Sequence, residues 1–328
     1  GSQDAGHGYA GARDQLAKGA TMSAIFGFIL GVIVTIALAF LALLGYFFTA
    51  VPGVEPEIAE VESGWAAYAA PVVDAAFLRD SLAFNDDVVV VALMPESDFV
   101  DGHIPGAVQV DRAELAITDT AAPTIAAWEA DVEALLTNLG ITRETMVVVY
   151  DDGSHDAARL WWVLTQLSHP QVSVLDGGLD AWSAIGEPVE TGPATPVPAM
   201  VPYEGMPNAS LLATKEQVEA ALDDPGVVIV DARPASEYAA SHIPGAINIP
   251  MEQNCSATDG ALLPIDQLMA VYLDAGVTPD KQVIVYCNSG VRASSDVLAL
   301  TSLGSPSVAL YAGSWPEWSS DPALPVEP

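Results

Sequence analysis

The chain has 328 residues, 51% of them hydrophobic, with 43 acidic side chains against 10 basic ones and a formal net charge of −33. That length accommodates two domains of ordinary size, and the hydrophobic content excludes an acidic disordered chain. So negative a surface repels nucleic acid and anionic headgroups, which removes both as partners. The charge fits work in high salt, where the Debye length falls to about 3 Å at 1 M; an ordinary acidic extracytoplasmic protein is the alternative. Two cysteines, Cys255 and Cys287, are too few for a disulfide framework. A redox pair between them stays open until distances are known.

Residues 1–20 are polar, small and Gly/Ala-rich and read as a short cytoplasmic segment. From Met22 to Ala50 there are 29 residues without a charge, where roughly 20 suffice to span a bilayer core. A secretory h-region is shorter, about 7–15 residues, so residues 21–50 are predicted to be a transmembrane helix. Arg13 and Lys18 precede the span and the next basic residue is Arg79, which places the N-terminus inside and the rest outside the cytoplasmic membrane. Tyr46, Phe47 and Phe48 suit an interfacial belt, and Gly27 and Gly31 offer a notch for another transmembrane subunit. Residues 51–70 are an acidic tether.

Two comparable units follow, residues 71–189 and 209–328, joined by a proline-rich surface linker at 190–208. In the first, Val72–Leu82 is predicted as a helix and Val88–Val91 as a strand. In the second, Thr214-Lys-Glu-Gln217 reads as a capping box, Asp224-Pro-Gly226 as a turn and Val227–Val230 as a buried strand ending at Asp231. The units are an internal repeat. His103-Ile-Pro-Gly-Ala107 recurs 139 positions later as His242-Ile-Pro-Gly-Ala246, and Val147–Tyr150 recurs 136 positions later as Val283–Tyr286. Strands alternating with helical patterns imply a mainly parallel α/β sheet in each unit, with helices on both faces.

The stretch Val283-Ile-Val-Tyr-Cys287-Asn-Ser-Gly-Val-Arg292 runs a strand into a cysteine, then a glycine, then a helical pattern through Val297, Leu298, Leu300 and Leu303. A cysteine on such a turn faces backbone N–H groups and the positive end of a helix, both of which favour the thiolate. A small apolar cap on a buried strand is the competing use of a free cysteine, and locally both stay open.

Asp231-Ala-Arg233-Pro-x-x-Glu237-Tyr, His242-Ile-Pro-Gly-Ala-x-Asn248-Ile-Pro and Tyr286-Cys287-x-x-Gly290-x-Arg292 together resemble the rhodanese-type sulfurtransferases. Ala158-Arg-Leu-Trp-Trp162, Asp176-Gly-Gly-Leu-Asp-Ala-Trp182 and Ala312-Gly-Ser-Trp-Pro-Glu-Trp318 resemble the tandem-domain members over residues 70–325. The resemblance implies a site at the domain interface, no metal and no cofactor, and a ping-pong transfer from a small anionic sulfur donor through a Cys287 persulfide to a thiol or cyanide. Asp151 stands where the first unit would need its cysteine, with Ala92 and Met94 opposite Asp231 and Arg233, so the first domain is expected to be inactive.

The amides of Asn288, Ser289, Gly290, Val291, Arg292 and Ala293 can cradle the persulfide, with Gly290 allowing close approach. Arg292 either binds the donor or lowers the cysteine pKa. Arg233 either contacts the donor or pairs with Asp231 or Glu237. His242 and His103 are read as holding the turns after their strands. Ser289 coincides with the serine of a relay in mercaptopyruvate-type members; His103 is its candidate histidine, but Ala92 occupies the aspartate position. Thiosulfate is the favoured donor over 3-mercaptopyruvate. The alternative function is a rhodanese-fold accessory subunit of a larger membrane complex.

Overall fold

The repeat in the sequence is a repeat of sheets. In the first, strands β1 (Val72–Val73), β2 (Val88–Leu93), β3 (Val108–Val110), β4 (Met146–Tyr150) and β5 (Val172–Leu175) lie in the order β1-β5-β4-β2-β3, every pair parallel. In the second, β6 (Val227–Asp231), β7 (Ile247–Asn248), β8 (Gln282–Tyr286) and β9 (Val308–Leu310) lie in the order β7-β6-β8-β9, again parallel. Leu212, bridged to Leu310, takes the place that β1 has in the first sheet. These elements belong to a computed structural model that describes residues 71–85 and 87–328. The predicted membrane span lies outside the described residues; among the described ones no helix is long and apolar enough to cross a membrane.

Residues on successive strand positions face opposite sides, and here both sides are buried. Val91, Leu93, Val147 and Val149 of the first sheet share one core with Val230, Val283, Val285 and Leu310 of the second. Val90, Ala92, Val148 and Tyr150 pack on the outer side of the first, and Ile229, Ile284, Tyr286 and Ala309 on that of the second. Between the sheets the helices Ala157–Gln166 and Val291–Ser302 pack against each other. Each buried Val, Leu or Ile there contributes about 1.5–3 kcal/mol, so the two domains stabilise one common interior.

One predicted helix start is wrong. Val72 and Val73 form β1 beside β5, and the helix runs Ala75–Phe84. Asp74 starts it by accepting from the Phe77 amide at 2.7 Å; two β-branched valines before a capping aspartate fit a strand better than a first helical turn. The capping box at Thr214 and Gln217 forms as predicted. The 190–208 segment, predicted as a surface linker, is tied along the first domain by Ala199 N–H to Thr137 O (2.8 Å) and Met206 N–H to Leu167 O (2.9 Å), with Tyr203 buried against His169.

The shared interior also holds a carboxyl group. Asp296, fully buried, accepts from Asn254 Nδ2 at 2.7 Å, and Tyr272 donates to Asn254 Oδ1 at 3.0 Å. Burial lifts the Asp296 pKa well above its ordinary 3.8. The folded protein therefore holds a proton that the unfolded chain releases, and stability falls as pH rises above about 4. Asp296→Asn keeps the acceptor for Asn254 without that proton. Its melting temperature is expected to exceed the parent's at pH 7 and to match it near pH 4. A variant less stable at pH 7 than at pH 4, relative to the parent, contradicts this.

Candidate active site

Strand β8 ends at Tyr286, and the chain turns through Cys287 to Gly290 into the Val291–Ser302 helix. Gly290 makes the turn possible twice over. Its φ is +77°, and a Cβ there would stand 2.9 Å from Arg159 Nη1. Cys287 is fully buried, with the Ser289 amide directed at its sulfur at 3.5 Å. Glu237 clamps the two ends of the loop, accepting from Asn288 Nδ2 at 2.6 Å and pairing with Arg292 at 3.3 Å. Burial alone would raise the Glu237 carboxyl, but those two hydrogen bonds and the Arg292 charge bring it below its ordinary value.

Arg233 takes the second of the two roles the sequence left open. Its Nε and Nη2 grip Asp231 at 3.0 and 2.6 Å, its Nη2 also donates to Ser241 O, and its plane lies 4.6 Å over Trp315. Asp231 receives the Tyr286 hydroxyl as well. Arg233 thus forms a buried ion pair behind the cysteine loop through Nε and Nη2. The histidines are turn supports of matching design. His103 Nδ1 meets Phe99 O at 2.8 Å and His242 Nδ1 meets Tyr238 O at 2.9 Å, each stacked on the same aromatic residue. The other ring nitrogen faces Glu190 or Glu327. His103 is therefore engaged within its own turn and has no hydrogen bond to Ser289 among the described residues, and Ala92 sits buried in the outer core.

Between the domains a cleft of about 550 Å³ opens over the loop, lined by Arg112, Asp156, Arg159, Met251, Ser289 and Arg292 among others. Three of the chain's 10 basic residues thus face this cleft. Arg112 is exposed and pairs with Asp156 at 3.3 Å. Arg159 is fully buried; it donates to Leu115 O at 2.7 Å and lies over Trp162. Among the described residues its Nε and Nη1 have no hydrogen-bond partner. Burial pulls its pKa down to about 10, an effect that the Cys287 charge opposes. It remains a cation at neutral pH, held against the cysteine loop by the first domain. Arg112 and Arg159 were not assigned in the sequence. A signal for Arg159 was present: it is the one charge in the apolar run Ala157–Gln166.

The first domain has a turn of different backbone at this strand end, with positive φ at Gly153 and His155 and its helix starting at Ala157. Asp151 stands at the position of Cys287, and its two oxygens accept from the amides of Gly153 and Ala157, both at 2.9 Å. At the offset of 136 these correspond to Ser289 and Ala293. Burial nevertheless raises the Asp151 carboxyl above its ordinary value. The cavity beside it is about 60 Å³ and is lined by Asp151, His155, Asp176 and Cys255 among others; no arginine lines it. Cys255 lies 3.6 Å from His155, and both cysteines are free thiols.

The rhodanese-like domain family model matches residues 75–185 and 214–321. Over 250 residues the chain is 35% identical to a thiosulfate sulfurtransferase of Pseudomonas aeruginosa, covering 74% of this chain and 91% of that protein. It is 34% identical over 247 residues to 3-mercaptopyruvate sulfurtransferase of Escherichia coli, covering 70% and 85%. The crystal structure of SseA from Escherichia coli, described as a 3-mercaptopyruvate sulfotransferase with the rhodanese fold, superposes with a TM-score of 0.67 at 30% identity, over 76% of this chain and all of that one. Two family domains, matches covering 91% and 85% of the two kinds of transferase and a strand-to-helix cysteine loop at the domain interface lead to one assignment: the chain belongs to the rhodanese family as a tandem-domain sulfurtransferase.

Proposed function

We propose that this sulfurtransferase takes a sulfane sulfur from thiosulfate onto Cys287 and passes it to a thiol or cyanide. The Cys287 thiolate attacks the outer sulfur of the donor; a new S–S bond forms, the donor's own S–S bond breaks, and sulfite leaves with its electron pair. An acceptor thiolate then attacks the terminal sulfur of the persulfide and returns Cys287 as thiolate. The observation that carries this reading is the pair of loops. The Ser289 amide faces Cys287 Sγ at 3.5 Å, and the Gly153 amide at the equivalent position of the first domain donates to Asp151, so both loops offer this donor to an anion. Arg159, Arg112 and Arg292 supply positive charge where an anionic donor must dock.

Thiosulfate is preferred to 3-mercaptopyruvate because Ser289 lacks the His103 partner that a relay requires. Arg292, occupied by Glu237 in the resting loop, serves the loop's shape first and the donor second. The predicted span at 21–50 supports a single-pass protein with its transferase domains outside the cytoplasmic membrane. The charge of −33 supports activity that needs salt to screen the protein's own repulsion of anions.

The protein incubated with thiosulfate in high salt should release sulfite and gain one sulfur, about 32 Da, on the peptide containing Cys287. 3-Mercaptopyruvate run in parallel should give slower loading. A protein that gains no sulfur from either donor overturns the proposal, and faster loading from mercaptopyruvate overturns the donor assignment.

A further inference from the structure

Ser314 holds an unusual backbone for its type. It is fully buried with φ +57°, in the left-handed region that favours glycine. At the offset of 136 the first domain has Gly178 there, with φ +54°. The two residues therefore share a left-handed φ and differ in the side chain, while the residue before them differs in backbone, Gly177 at φ +69° and Gly313 at φ −63°. The Ser314 hydroxyl accepts from the Cys287 amide at 3.2 Å and donates to Tyr311 O at 2.9 Å. Next to it, Trp315 N–H donates to Cys287 O at 3.0 Å. Both backbone polar groups of Cys287 are thus fixed by one two-residue segment. The first domain keeps only the second half of this arrangement, Leu179 N–H to Asp151 O at 3.1 Å.

The hydroxyl sits at a particular rung of the sheet. Tyr311 N–H donates to Val285 O, and in a parallel ladder the next bond would join Cys287 N–H directly to Tyr311 O. Ser314 Oγ stands between those two groups and relays the bond. The strand is thereby held open by one hydroxyl at the residue where it must release the cysteine into the turn, with Sγ facing the Ser289 amide at 3.5 Å. A strained residue that persists at a site where glycine would fit is accounted for when its side chain has a task there.

We propose that Ser314 is a positioning residue for sulfur transfer, acting through the Cys287 peptide. The proposal rests on Cys287 as the sulfur carrier. Two variants separate positioning from stability. Ser314→Gly relieves the backbone and lets the rung close directly, so its melting temperature is expected to equal or exceed the parent's. Ser314→Ala keeps the strained conformation and lacks the hydroxyl, so it is expected to melt lower. Both are expected to lose about tenfold in the rate of Cys287 loading by thiosulfate, the worth of one such hydrogen bond, with the donor concentration for half-maximal rate unchanged. A purely structural Ser314 makes activity follow stability: Ser314→Gly then loads at the parent's rate, and the proposal fails. A parent protein that loads no sulfur on Cys287 overturns the carrier reading and this proposal together. A parent that loads beside a Ser314→Gly that loads equally well overturns this proposal alone.

Discussion

Cys287→Ser is expected to lower thiosulfate turnover by at least about 10³-fold and to abolish the one-sulfur adduct. The serine hydroxyl is nearly isosteric with the thiol, and the Ser289 amide that faces the sulfur can face an oxygen equally well, so the cost in stability is expected to stay within about 1–2 kcal/mol. The loss is chemical: an alcohol is not ionised in this site at neutral pH and cannot store a sulfane sulfur. Cys255→Ser is the internal control. Burial, with Asp176 and Asp296 nearby, pushes the Cys255 thiol up to about 12, so it stays protonated and unreactive, and its replacement should leave turnover unchanged. Sulfite release, intact mass and a melting curve on both variants are sufficient. An adduct that persists in Cys287→Ser, or disappears in Cys255→Ser, would mean that the sulfur is carried elsewhere.

The strands and the cysteine loop were legible because their signals are local. Val88–Leu93 and Val227–Asp231 are β-branched runs of strand length, and the cysteine, Gly290 and the following helical pattern lie within one short segment. Comparing the two copies sharpened the loop further, since Asp151 stands where the second copy has its thiol. What was not legible was which charge pairs with which. Arg233 was a plausible donor ligand by position, and the sequence did not show that Asp231 two residues away and Ser241 eight residues away hold its Nε and Nη2. Arg159 reaches the cysteine loop only because the two domains share a core and their central helices pack together. That proximity joins residues more than 120 positions apart, and no spacing rule expresses it. Ser314 was hidden differently: its string was recognised, but a hydroxyl in a left-handed turn is visible only once φ is known.

Arg159→Met should separate function from stability by the sign of its two effects. A fully buried guanidinium without a carboxylate partner, with two of its nitrogens unpaired among the described residues, costs desolvation that one carbonyl contact and the face of Trp162 only partly offset. Methionine has a similar length, packs against Trp162 and carries no charge to desolvate. The variant is therefore expected to be as stable as the parent or more so, by up to about 3 kcal/mol. Activity should move the other way. Removing the cation beside Cys287 takes away the charge that favours thiolate and persulfide, and a hydrogen bond between charged partners, such as those open to a docked anion, is worth about 1.5–3 kcal/mol. The expected fall in kcat/KM for thiosulfate is about 10²-fold. Arg159→Lys should recover only part of it, because one ammonium cannot both reach Leu115 O and present two free donors to the loop. Salt gives a further check: the loss should persist in high salt, since a buried charge is screened far less than an exposed one such as Arg112. A stable Arg159→Met with full activity would place the donor's anion on Arg292 and Arg112 alone. A variant that loses both fold and activity would make Arg159 a structural cation and leave Ser289 and the loop amides to hold the charge. The arrangement as it stands, a buried cation with no carboxylate partner among the described residues, kept by the domain with Asp151 in place of the cysteine, is the reason to expect neither.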